Sequence, residues 1–263
     1  MEVEGARTFT GGADAYDRFM GRYSRPLSVG FSDFAGVVAG QRVLDVGCGS
    51  GALTAELVRR LGSASVSACD PSPSFVAACR ERFEDVDVLP GTAEQLPFGD
   101  AAFDVAISQL VLHFVSDPTA AGAEFARVLR PGGVAAACVW DAADGMELLR
   151  SFWDAASGVD PDAPDELQTL RFGRPGELSG WLAGAGFEDV TETTLSVRTT
   201  YEDFDELWST LLDGVGPVGA YCATLPPQRL AVLRAALHDR LGAPSGGITL
   251  GAVARAARGV RPE

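Results

Sequence analysis

The run Val43-Leu44-Asp45-Val46 passes directly into Gly47-Cys48-Gly49-Ser50-Gly51 and then into Ala52-Leu53-Thr54. A short apolar strand that ends in a glycine turn and opens a helix restricts the chain to folds in which parallel strands end beneath a ligand. Three glycines in five positions keep side chains out of the way and allow positive φ, so a ligand can lie against the N–H groups at the helix start. The spacing is not that of the dinucleotide fingerprint GxGxxG, because Gly47, Gly49 and Gly51 are evenly placed. Asp45, inside the strand, would repel a pyrophosphate and favour a ligand carrying an ammonium or sulfonium cation.

The bulk properties exclude several classes. The 263 residues are enough for one α/β core with length left for a cap or lid. A formal charge of −15 opposes binding to a phosphate backbone, so nucleic acid is not an expected partner. The longest apolar stretch, Val134 to Trp140, is far short of the roughly 20 residues that span a bilayer, and no membrane association is expected. Met1-Glu2-Val3-Glu4-Gly5 has neither the basic nor the apolar region of a secretory signal, which predicts a cytoplasmic protein. Cysteines 48, 69, 79, 138 and 222 form no CxxC pair, and with only His113 and His238 in the chain no metal site is expected.

Between residues 42 and 140 apolar runs alternate with helical patterns, as in a doubly wound, mostly parallel sheet. The runs are Val43–Val46, Ala64–Cys69, Val86–Leu89, Phe103–Ile107 and Val134–Trp140, with helices over Ala52–Leu61, Pro73–Phe83 and Thr119–Leu129. Beyond Trp140, Pro161 and Pro164 mark a loop, Pro175–Ala185 predicts a helix, and Phe187–Tyr201, rich in Val and Thr, predicts a long strand. Thr200-Tyr201-Glu202-Asp203 has the form of a capping box before a helix through Leu212, and Pro226-Pro227 opens another through Leu241. Ile248–Val260 is the expected seventh strand, against the weak strand preference of its alanines.

Four segments, in this order, resemble the class I S-adenosylmethionine-dependent methyltransferases, a group that includes ubiquinone and menaquinone biosynthesis enzymes. They are the VLDVGCGSG turn; Ser67-Ala68-Cys69-Asp70-Pro71-Ser72; Gly91-Thr92-Ala93-Glu94-Gln95-Leu96-Pro97-Phe98 with Phe103-Asp104-Val105; and Arg127-Val128-Leu129-Arg130-Pro131-Gly132-Gly133. The resemblance implies a seven-stranded Rossmann-like α/β fold. It divides the chain into an amino-terminal helical cap over 1–40 and a methyltransferase domain over 41–263, with a helical lid near 201–247. It also implies S-adenosylmethionine as methyl donor and a small-molecule acceptor through oxygen, carbon or nitrogen. The (D/N)PP(Y/F) motif of enzymes acting on nucleic-acid bases is missing at Ser108-Gln109-Leu110-Val111.

Residue by residue, the resemblance places the backbone of Gly47, Cys48 and Gly49 against the methionine portion, with Asp45 near its ammonium group. Asp70, followed by Pro71, accepts the ribose hydroxyls, and Thr92, Ala93 and Glu94 border the adenine. Many relatives carry Asp or Asn where this chain has Thr92, so Glu94 is a substitute acceptor for the adenine amino group. Ser108 and Gln109 face the sulfonium side. Tyr16 covers the donor while Arg22 or Arg25 pairs its carboxylate, although these three also suit a solvated amphipathic helix.

His113 is the natural candidate for a general base, set against the plainer role of a packed histidine. Phe204, Trp208 and Tyr221 suit either core or lid. Two other readings stay open: a donor-binding regulatory protein without catalysis, and an NAD-dependent oxidoreductase, which the glycine spacing and Asp45 disfavour.

Overall fold

The protein is described by a computed structural model covering residues 12–141, 145–165, 167 and 171–263. Residues 1–11 of the expected cap, including the segment compared with a secretory signal, lie outside the described residues. Seven strands form one sheet in the order β3-β2-β1-β4-β5-β7-β6. They are β1 (Val43–Val46), β2 (Val66–Asp70), β3 (Asp87–Pro90), β4 (Phe103–Gln109), β5 (Leu129–Trp140), β6 (Glu188–Tyr201) and β7 (Ile248–Val260). β1 to β5 are parallel, and β7 runs antiparallel between β5 and β6. β1 lies between β2 and β4, so the chain reverses its winding direction there and opens a crevice above the carboxyl ends of these strands.

Alternation along the strands creates two cores. Val43, Val105, Ile107, Ala136 and Cys138 face one side, whereas Leu44, Val46, Ala106, Ala135 and Ala137 face the other. The first side is covered by helices α1 (Gly12–Phe19), α2 (Gly21–Ala35), α3 (Ala52–Leu61), α4 (Pro73–Arg82) and α6 (Glu147–Val159). The second is covered by α5 (Pro118–Val128) and α7 (Glu177–Gly184). Between β6 and β7 the chain forms α8 (Phe204–Leu212), α9 (Gly216–Thr224) and α10 (Pro227–Arg240), which join the first core. This segment leaves from Tyr201 and returns at Ile248, two residues paired with each other in the sheet.

Local departures from the sequence expectations have identifiable causes. β2 begins at Val66, not at Ala64, because Ser63–Ser65 form a tight 3-10 turn and Val66 is the first residue to pair with β1, opposite Val43. Arg130-Pro131-Gly132-Gly133 lies within β5 as an irregularity: Leu129 pairs with Phe103, but the next pair is Val134 with Val105. Arg130 reaches Asp104 at 2.7 Å there, and a Cβ on Gly133 would come within 2.8 Å of the Arg130 carbonyl oxygen. Asp117 caps α5 by accepting the amides of Thr119 and Ala120.

The alanines of β7 are an asset in this position. As an inner strand it has a layer on each face, and Ala254, Ala256 and Ala257 are fully buried. Helix α6 was not expected, whereas α9 falls within the expected helical lid; neither has a side-chain cap, although Leu148, Leu149, Phe152 and Trp153 do bury one face of α6. Among the described residues no helix is long and apolar enough to cross a membrane.

Candidate active site

The crevice holds a cleft of about 570 Å³ whose floor is the glycine turn. Gly47, Gly49 and Gly51 all have positive φ, at +78°, +53° and +94°, but they serve different ends. A Cβ on Gly47 would lie 2.4 Å from Val111, and one on Gly51 would lie 2.6 Å from Phe83. At Gly49 it would meet nothing within 4 Å, so Gly49 is where the backbone is open to a ligand. The amides of Gly47 and Cys48 donate to the Cys69 carbonyl at 2.8 and 3.0 Å, which ties the turn to the end of β2. Cys48 contributes only backbone, because its buried thiol is held protonated by the neighbouring Cys79 and by burial.

Asp70 stands at the carboxyl end of β2 on the cleft wall, with Pro71 beside it. Its Oδ2 accepts the Gly49 amide at 2.9 Å and its Oδ1 the Ser72 amide at 2.8 Å, so both oxygens are oriented by backbone. Burial pushes its pKa up to about 6, against the lowering effect of those two amides. Asp45 behaves differently from the expectation. It is 1% exposed and is not on the cleft wall; its Oδ2 accepts the Thr54 hydroxyl at 2.6 Å, and its Oδ1 has no partner among the described residues. Burial drives its pKa up to about 7, opposed by the Thr54 bond and reinforced by nearby Asp70. Asp45 thus supports the strand and turn, and the expected contact with an ammonium group is not provided for.

A second recess, of about 380 Å³, continues the cleft past Pro71 to Gly91, Thr92, Ala93 and Glu94. α5 shapes it. Glu124 accepts the Leu96 amide at 2.7 Å, and Arg127 donates to the carbonyls of Leu96 and Phe98 at 3.0 and 2.8 Å. Glu94 Oε1 accepts the Ser116 amide at 2.8 Å, so this oxygen ties two loops together. Ser108 turns away from the cleft: its hydroxyl is buried and donates to the Val46 carbonyl at 3.0 Å, fastening β4 to β1. Gln109 does line the cleft, and its amide nitrogen donates to the Ser24 carbonyl on α2 at 2.9 Å.

The arginines of the cap are engaged elsewhere. Arg22 pairs with Glu206, donates to the Thr200 carbonyl and lies over the ring of Tyr201. Arg25 pairs with Asp17 at 2.9 Å on the outer side of the cap. Neither lines the cleft, because opposite charges on α1 and α8 hold them away from it. Tyr16 does line it, edge-on to Phe75, and burial with nearby Asp70 and Asp17 keeps its phenol protonated. Asp17, which sequence reasoning did not single out, joins the cap to the turn. It accepts the Ser50 hydroxyl and pairs with Arg82 at 2.7 Å, while Arg82 also donates to the Ser50 carbonyl.

Beside the cleft lies a pocket lined mainly by apolar side chains, which shares Tyr16, Leu110 and Phe114 with it. Phe19 and Met20 come from the junction of α1 and α2, Trp140 from the end of β5, Leu149 from α6, and Val215, Pro217 and Val218 from the start of α9. Leu110 sits between the two spaces at φ +64°, a strained conformation for a branched side chain. Phe204, Trp208 and Tyr221 are not on its walls. Phe204 stacks on Trp208, and Tyr221 packs against Phe152 and Trp153.

His113 faces this cavity but is fully occupied. The Trp140 amide donates to its Nε2 at 3.0 Å, so Nδ1 carries the ring proton and donates to the Arg171 carbonyl at 2.6 Å. Burial lowers its pKa to about 4, with the Arg171 bond opposing. The lone pair a general base needs is already taken, and the expectation of a base at His113 gives way to a structural histidine that fastens the β4 loop to β5.

The doubly wound sheet, the glycine turn and the acid at the end of β2 define the class I methyltransferase architecture. Residues 44–137 match the methyltransferase-domain family. An uncharacterised methyltransferase of Mycobacterium tuberculosis is 39% identical over 137 residues, 52% of this chain and 53% of that one, so the chain spans about half the length of this relative. A malonyl-[acyl-carrier protein] O-methyltransferase of Herminiimonas arsenicoxydans is 30% identical over 213 residues, covering 81% of this chain and 76% of the relative. Among solved structures, the phosphoethanolamine N-methyltransferase 2 of Haemonchus contortus in complex with S-adenosyl-L-methionine shares the fold, with a TM-score of 0.55, 18% identity, and coverage of 95% of this chain and 60% of that one. The chain belongs to the S-adenosylmethionine-dependent methyltransferase family.

Proposed function

We propose that the protein binds S-adenosylmethionine in the cleft above the glycine turn and transfers its methyl group to a small molecule held in the adjoining apolar cavity. The observation that carries this reading is the pair of spaces meeting at Tyr16, Leu110 and Phe114, one with an oriented carboxylate and open backbone, the other enclosed by apolar side chains. The cleft fits the donor. Gly49 leaves room at the turn, Asp70 keeps lone pairs for two adjacent ribose hydroxyls, and the recess at Thr92 and Ala93 suits a flat ring. When bound, the donor supplies a methyl carbon already activated on a sulfonium. What remains for the protein is to place an acceptor beside it and exclude water.

In this reading Tyr16 and the cap close the cleft, α9 acts as the lid over the acceptor, and Leu110 and Phe114 set the boundary between the two ligands. A small, largely apolar acceptor agrees with the enclosed walls, and the charge of −15 agrees with an acceptor other than nucleic acid. Titration calorimetry with S-adenosylmethionine, S-adenosylhomocysteine and NAD tests the donor. Binding of the first two without NAD is the expected result, and tight NAD binding without S-adenosylhomocysteine would sink the proposal. The engaged ring of His113 favours a second reading, a donor-binding protein without turnover. Release of S-adenosylhomocysteine in the presence of an acceptor separates the two.

A further inference from the structure

With Asp45 turned away, the amino group of the donor must find its partner elsewhere in the cleft. The described lining side chains that carry an acceptor atom are Tyr16, Asp70, Ser72 and Gln109. Asp70 and Ser72 belong to the end of β2, where Asp70 is oriented by the Gly49 and Ser72 amides. Gln109 is the last residue of β4, on the far side of β1. Two strand spacings, about 10 Å, separate β2 from β4, which is the scale of the stretch from ribose to amino group in an extended donor.

The amide of Gln109 has a defined direction. Its Nε2 donates to the Ser24 carbonyl on α2 at 2.9 Å. A carbonyl can only accept, so the amide cannot be turned around and Oε1 is the atom left over. Gln109 is 9% exposed, and its Oε1 is shielded from water with no partner among the described residues. Ser24 Oγ, on the same seam between α2 and β4, is buried and unpartnered as well. One turn further along the helix Ser28 is satisfied, its hydroxyl donating to the Arg25 carbonyl at 2.6 Å. A buried acceptor without a donor is destabilising, and a ligand that brings an N–H to it removes the penalty.

We propose that Gln109 binds the amino group of the donor and ties that group to the cap. Oε1 accepts a hydrogen from the ammonium while Nε2 keeps its hold on Ser24, so one planar amide joins the ligand to α2. This rests on the proposed binding of S-adenosylmethionine. A neutral amide suits the place, because a carboxylate there would set an oxygen against the Ser24 carbonyl and lose the helix. Because Oε1 is shielded, the ammonium reaches it only as α2 lifts and reseats, and the seating of the cap then depends on which group has been bound.

Binding of two ligands tests this without turnover. They are S-adenosylhomocysteine and its desamino analogue, in which hydrogen replaces the α-amino group. Calorimetry on the intact chain should show at least tenfold tighter binding of S-adenosylhomocysteine, and Gln109→Met should reduce that preference at least tenfold while the affinity for the analogue stays within twofold. A merely structural Gln109 would weaken both ligands equally, so equal losses or an unchanged preference in the variant overturn the assignment. The coupling to the cap is read in the unsubstituted protein, by amide hydrogen exchange across α2 with each ligand at saturation. At least tenfold slower exchange is expected with S-adenosylhomocysteine than with the analogue, and equal protection overturns the tie to the cap whether or not the variant folds. Failure of both ligands to bind the unsubstituted protein overturns the donor reading instead.

Discussion

The cleft proposed for the donor and the cavity proposed for the acceptor share three apolar side chains, yet they differ in the polar groups set among them. Among the apolar side chains of the cleft, such as Tyr16, Phe75 and Val111, stand open backbone at Gly49 and one carboxylate, Asp70, oriented by the amides of Gly49 and Ser72. The cavity is made of side chains drawn from α1, the β4 loop, β5, α6 and α9, and its described lining residues carry no carboxylate, ammonium or guanidinium. The difference teaches where specificity resides. A ligand recognised through backbone and a single acid constrains a few adjacent positions, whereas one recognised by apolar shape can be accommodated by many combinations of residues.

Substitutions that affect one space and spare the other sharpen this contrast. The largest effect is expected for Asp70→Ala. Two hydrogen bonds to a charged acceptor at about 1.5 kcal/mol or more each amount to roughly a hundredfold loss of S-adenosylhomocysteine affinity in calorimetry. Occupancy of the apolar cavity by an uncharged dye such as N-phenyl-1-naphthylamine should not change, and parallel losses at both sites would break the distinction.

His113→Ala should act on stability. Loss of its two backbone bonds is expected to cost about 2 kcal/mol in denaturant titration at neutral pH. Because the folded pKa is lowered to about 4, the unfolded chain takes up the proton first, and the contribution of His113 declines as pH falls from about 6.5 towards 4. The variant should lack that decline, and an unchanged pH dependence would remove the structural role assigned here.

Asp45 has the opposite sign. Its folded pKa is raised to about 7, so the folded state holds the proton more tightly and stability falls as pH rises from about 4 to 7, by at most about 1.4 kcal/mol per pH unit. Thermal melts of Asp45→Asn should show a flatter profile over that range; an identical slope would mean that Asp45 ionises without cost. The smallest effect is expected for Asp17→Ala, which removes the tie between the cap and Ser50. A few-fold faster release of S-adenosylhomocysteine in stopped flow, with little change in melting temperature, is the anticipated result.

The same contrast governs how much could be read in the sequence. The doubly wound sheet, the glycine turn and the positions of Asp70, Thr92 and Ala93 beside it were legible because each depends on neighbours in the chain. Ser108 and Asp45 were misjudged because side chains alternate along a strand, and a position near its end does not say which way the group turns. Arg22 and Arg25 were misplaced because their partners, Glu206 and Asp17, belong to a helix nearly two hundred residues away and to the preceding helix. The walls of the acceptor cavity left no pattern, since Met20, Trp140, Leu149 and Val218 are apolar residues on separate elements, indistinguishable in sequence from ordinary core.

Tyr201 and Ile248 are partners across two adjacent strands, about 5 Å apart, and everything between them departs from one point of the sheet edge and returns to it. The segment that delivers Val215, Pro217 and Val218 to the acceptor is therefore a cassette with its two ends already spliced together by the β6–β7 ladder. A foreign helical segment grafted between these two residues would find its attachment points in place, and it would also have to supply the partner that Glu206 gives to Arg22.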